Sequence, residues 1–99
     1  MQIDVHESDN SISLKVHGDI EMVTIKNFRE ELFEIGEKTD KDIEIDLLDV
    51  DYIDSSGVGI IISLLKLQQK KGKKLIINKV SPKVLDVLKL SSLSDTFNL

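Results

Sequence analysis

The 99-residue chain has no cysteine, and its only proline is Pro82. The lack of cysteine excludes a disulfide framework and a thiolate metal site and suits a reducing compartment. Positive charge is scarce: 13 Lys and Arg against 18 Asp and Glu leave a net charge of -5. Duplex binding is driven by neutralising phosphates with Lys and Arg, so nucleic acid is not the expected partner. No long hydrophobic run occurs, because Ser63 and Lys66 interrupt Val58 to Leu67, well short of the roughly 20 residues of a bilayer span. Met1 to Glu7 lacks a basic region followed by an apolar run, so no signal peptide is expected. A soluble, cytoplasmic protein without a membrane partner is the expectation.

The motifs of common catalytic sites are missing too. Gly57-Val58-Gly59 places Ile62 where a dinucleotide fingerprint needs its third glycine, and no Gly-Lys-Ser/Thr phosphate loop exists. A nucleophile elbow needs Gly two residues before its Ser, but Ile53 precedes Ser55 and Asp54 precedes Ser56 at that spacing. His6 and His17 fall on the polar phase of strand-like segments, with no metal-ligand spacing, and read as solvated strand residues. The chain is therefore expected not to be an enzyme: it has no catalytic residues, cofactor or metal of its own, and looks instead like a substrate of another protein.

An apolar content of 40% in 99 residues supports one globular domain over residues 1–99. Ile3 and Val5, then Ile12, Leu14 and Val16, alternate with polar residues around Ser8-Asp9-Asn10-Ser11, which predicts a hairpin with one face buried. Met22, Ile25, Phe28, Leu32 and Ile35 recur at helical spacing, with Gly36 as a C-terminal stop. Ile43, Ile45 and Leu47 predict a central strand, and Leu75 to Ile77 another. Between them the crowded run from Val58 has no breaker before Gly72 and reads as a buried helix; Lys70, Lys71, Lys73 and Lys74 complement its dipole. Ser81-Pro82 opens a last helix with a capping Ser and Pro at its first position, Ser91-Ser92 ends it, and an extended piece over Thr96 to Leu99 is expected. The order predicts an α/β fold, a mixed sheet of four to five strands with about three packed helices.

Asp54-Ser55-Ser56-Gly57-Val58-Gly59 sits where the central strand hands over to the buried helix. A helix start needs a side-chain oxygen to accept from its free N–H groups, and Asp and Ser are both preferred there. Three such residues in a row exceed the need. Either they form a redundant cap, or one hydroxyl is left free at the positive end of the helix dipole, where a phosphate is tolerated.

Tyr52-Ile53-Asp54-Ser55-Ser56-Gly57-Val58-Gly59 resembles the signature of the anti-sigma factor antagonists, small bacterial proteins built on the STAS domain. Gly18-Asp19-Ile20-Glu21 resembles the family's turn before the first helix, and Ser81-Pro82 and Ser91-Ser92-Leu93 its last helix and exit. The resemblance implies a STAS-like fold over nearly the whole chain. It further implies a phosphorylation site at Ser55 and a helix cap at Ser56 beside Asp54 and Gly57. The implied partner is an anti-sigma factor that is also a serine kinase and itself holds the ATP and Mg²⁺. A serine phosphatase would reset the site. Asp19, Glu21, Tyr52, Val58, Gly59 and Ile60 are the candidate partner contacts, and a monomer is expected. The alternative is a constitutive STAS-type interaction or small-ligand-binding module without a phospho-switch. A phosphoaspartate receiver also places an Asp, here Asp54, at the end of a central strand, but Asp9 stands alone where that family has an acidic pair. Two departures from the STAS pattern are expected to matter. Ser92 stands where a small residue, commonly Gly, is usual, so that helix end should be built differently; and many relatives continue past Leu99 into a further helix, so part of the usual sheet cover or partner surface should be missing.

Overall fold

The period-two apolar phases become a four-stranded sheet in the computed structural model, which describes Met1–Leu99. Strands β1 (Gln2–Glu7) and β2 (Ser11–His17) form the antiparallel hairpin. β3 (Asp42–Asp49) and β4 (Leu75–Val80) follow in parallel, in the spatial order β1-β2-β3-β4. Parallel neighbours need a crossover, and helices α1 (Ile25–Lys38) and α2 (Ser55–Lys70) supply the two required. Helix α3 (Pro82–Leu90) and the single turn α4 (Leu93–Thr96) complete the chain.

One sheet face carries the core. Leu14, Val16, Ile43, Ile45 and Leu47 lie almost wholly out of solvent and share a cluster with Phe28 and Leu32 of α1 and with Ile61 and Leu64 of α2. Gly36 is not a stop but a contact. A Cβ there would lie 2.6 Å from Leu64 Cδ1, so its missing side chain lets α1 and α2 approach closely. The helix continues to Lys38, and Lys71 Nζ then donates to the Gly36 and Thr39 carbonyls. This basic residue at the end of α2 therefore satisfies the end of α1 rather than that of its own helix.

Other elements depart from the sequence pattern for local reasons. Met22 is 84% exposed rather than core, because the Thr24 hydroxyl donates to the Asp19 carbonyl (2.8 Å) and holds a loop ahead of the helix. As the edge strand, β1 lies beyond the helical cover, so Val5 is 56% exposed and the hairpin face is only partly buried. The last residues are not extended: Ser92 adopts the left-handed conformation (φ 58°), α4 follows, and Phe97 is buried. This is the conformation that glycine adopts most readily, taken here by serine.

Candidate functional site

The site is built by two loops at the C-terminal ends of β2 and β3. The Ile20 N–H donates to the Tyr52 carbonyl (2.9 Å) and the Asp54 N–H to the Ile20 carbonyl (3.0 Å), a short parallel bridge between Ile20 and Ile53. Residues Gly18 to Thr24 are thereby fixed beside the start of α2. Gly57 seals the contact, since a Cβ on it would lie 2.5 Å from Ile20 Cγ2 and 2.8 Å from Ile53 Cγ1.

Asp54 is the N-cap, and Ser56 is not. Asp54 has extended backbone, and its Oδ1 accepts from the Gly57 N–H (3.1 Å). Ser56 is already helical, and its hydroxyl donates to the same oxygen (2.5 Å). The Ser56 hydroxyl comes first and the Gly57 N–H second among the causes that hold the Asp54 carboxyl below its ordinary pKa. Ser55, the first helical residue, is exposed, and no hydrogen bond engages its hydroxyl. Of the candidate capping groups, one carboxylate caps, one hydroxyl braces that carboxylate, and the Ser55 hydroxyl remains free.

The remaining candidates divide by burial. Asp19 and Gly59 are exposed, Glu21 is half-buried and Tyr52 is 51% exposed. Val58 and Ile60, expected on the contact surface, are instead members of the buried core cluster, although they lie on opposite sides of α2, so the start of this helix is covered on more than one side. Leu64, one turn later, is also fully buried. The exposed apolar surface comes from elsewhere: Met22 and Val23, 84% and 86% exposed, occupy the loop bridged to the Ser55 turn. Helical periodicity assigned Met22 to the core. A signal against that was available in Glu21 and Thr24, polar residues flanking the pair at the helix entry.

Beneath these loops lies a second cluster that sequence spacing missed. His17 at the end of β2 places Nε2 2.9 Å from Asp4 Oδ2 and Nδ1 2.9 Å from Asp49 Oδ2. The imidazole links β1 to β3 where both loops begin. No group of His, Asp and Glu residues in the structure is arranged to hold a metal ion. No helix is long and apolar enough to cross a membrane.

The chain belongs to the STAS domain family, whose model matches residues 2–99. It is 27% identical to the anti-sigma-B factor antagonist of Bacillus subtilis (strain 168) over 99 residues, all of this chain and 90% of that protein. Its fold is similar to that of the anti-sigma factor antagonist SpoIIAA in its unphosphorylated form (TM-score 0.82, 17% identity, 95% of this chain and 84% of that one). The Bacillus cell fate determinant SpoIIAA in the phosphorylated form is similar as well (TM-score 0.74, 16% identity, 95% and 86%).

Proposed function

We propose that this protein is an anti-sigma factor antagonist switched by phosphorylation of Ser55. In its unmodified form it docks on an anti-sigma factor through the exposed surface of Ser55, Gly59, Tyr52, Met22 and Val23, and a sigma factor is released. The docked partner is a serine kinase. It transfers the γ-phosphoryl group of its own ATP to Ser55 Oγ; the hydroxyl proton passes to a base of the kinase, and ADP is the leaving group. The antagonist supplies no cofactor, and it acts as a binding protein rather than an enzyme, in the cytoplasm where transcription is controlled. A serine phosphatase that hydrolyses the phosphoester returns the protein to its binding form.

The observation that carries this reading is the inequality of the two serines: Ser56 is spent on Asp54, while Ser55 is exposed and unbonded. A related fold solved in both an unphosphorylated and a phosphorylated form is in keeping with it. Phosphoserine adds about -1.5 to -2 charges at neutral pH. They would arrive next to the Asp54 carboxylate and near Asp19, Glu21 and Asp51. A surface fitted to a neutral hydroxyl must then desolvate a dianion, and mismatching a buried polar contact costs about 2–5 kcal/mol, or more than tenfold in affinity.

Titration calorimetry against the cognate anti-sigma factor tests the switch. Ser55→Ala should bind as the wild type does and stay bound after ATP is added, whereas Ser55→Glu should bind at least about tenfold more weakly. Equal affinity of the two variants, with no effect of ATP on the wild type, would favour a constitutive STAS-type interaction or small-ligand module.

A further inference from the structure

The Asp4–His17–Asp49 cluster stands at a break in the backbone ladder. The β2–β3 register shifts between Lys15 and His17, just before both loops begin. Past the shift, the Gly18 N–H meets the Asp49 carbonyl only at 3.4 Å, and Gly18 turns the chain with φ 101°. At this weak joint His17 Nδ1 lies 2.9 Å from Asp49 Oδ2, and Nε2 lies 2.9 Å from Asp4 Oδ2. Gly18 to Thr24 then carry Met22 and Val23 to the side of the Ser55 turn. Asp49, the last residue of β3, opens the segment that leads to Asp54 and Ser55.

A neutral imidazole has one N–H and one lone pair. Set between two carboxylates, it donates to one and turns its lone pair on the other. Both contacts attract only when both ring nitrogens carry a proton, and the ring is then a cation between two anions. The hydrogen bonds of Asp4, to Gln2 first and His17 second, hold its carboxyl below the ordinary pKa, so one of those anions is secured. The other charged groups at this corner are Lys15, whose Nζ is 3.9 Å from Asp49 Oδ2, and the Met1 amino group beside Gly18.

We propose that His17 is a positioning residue for the docking surface: as a doubly protonated ring it ties β1 to the exit of β3 and so holds the loop of Met22 and Val23 in place beside Ser55. This role rests on the docking surface proposed above, and it makes partner binding sensitive to pH. Loss of one ring proton breaks one of the two links, whichever tautomer forms, and loosens the joint from which the loop departs.

Amide exchange and titration calorimetry on the wild type, His17→Gln and His17→Arg test this role. Gln has a single donating nitrogen and keeps one link only, whereas the Arg guanidinium offers several at any pH. In the free protein at about pH 5.5, the Ile20 and Asp54 amides that bridge the two loops should exchange about threefold faster in His17→Gln and at the wild-type rate in His17→Arg. Against the anti-sigma factor, His17→Arg should bind about threefold more tightly than His17→Gln, and the wild type should match His17→Arg at about pH 5.5 and His17→Gln at about pH 8.5. Lys15, the Met1 amino group and the groups of the anti-sigma factor are common to all three chains, so the crossover belongs to His17. A wild type whose affinity keeps a fixed ratio to that of His17→Arg across this range, or bridge amides that exchange equally in the wild type and His17→Gln, would overturn the role. An anti-sigma factor that binds none of the three chains would overturn the docking reading instead, while the exchange rates still decide whether His17 holds the loop.

Discussion

Helices α2 and α3 both begin with serine chemistry, yet they use it in opposite ways. At α3, Ser81 is 4% exposed and fully engaged: its hydroxyl donates to the Val50 carbonyl and its oxygen accepts from the Val84 N–H. Val84, the third helical residue, fills the core. At α2 the cap is a carboxylate, the third residue is Gly57, and the serine at the first helical position has nothing to do. The α3 start is a structural joint. The α2 start holds its shape without Ser55, and that leaves the Ser55 hydroxyl available for modification.

Removing a joint should cost more than removing a free group, and four substitutions grade the difference. Ser81→Ala strips the α3 cap and leaves the buried Val50 carbonyl unpaired, so it should lower stability by about 1–3 kcal/mol in urea unfolding. Gly57→Ala should cost about 1–3 kcal/mol, because the new methyl meets Ile20 and Ile53 at under 3 Å. It should also loosen the bridge between the two loops, visible as faster exchange of the Ile20 and Asp54 amides.

Asp54→Ala should cost about 1 kcal/mol at neutral pH, the usual value of an N-cap. The Asp54 carboxyl titrates lower in the folded chain than its ordinary value of 3.8, so its contribution is complete above that value and is lost as pH falls through the folded one. The wild-type advantage over Asp54→Ala should accordingly shrink on acidification below about pH 4. The same variant frees the Ser56 hydroxyl, so phosphate should appear on Ser56 as well as Ser55 after treatment with the kinase. Ser55→Ala should change stability by less than about 0.5 kcal/mol, as befits an exposed side chain that bonds to nothing.

The same contrast explains what the sequence made legible. Ser81-Pro82 was readable because capping serine and first-turn proline are local signals that the tertiary structure leaves unchanged. In Asp54-Ser55-Ser56 every residue is an acceptable cap, and backbone angles decide between them: only Asp54 is extended. The strands and their core residues followed from alternation at Ile12 to Val16 and Ile43 to Leu47, because period two survives burial. The exposure of Met22 and Val23 did not follow, since helical spacing continues past the point where Thr24 holds the chain in a loop. The burial of both Val58 and Ile60 required knowing that the start of α2 is covered on more than one side. The Asp4–His17–Asp49 link joins three strands, and spacing along the chain carries no trace of it.

Site-resolved mass spectrometry after incubation with the cognate anti-sigma kinase and ATP tests the central claim most directly. The account predicts one phosphate per chain, located on Ser55, and none on Ser55→Ala. An unmodified wild type, or a phosphate carried by Ser56 while Ser55 stays bare, would contradict it.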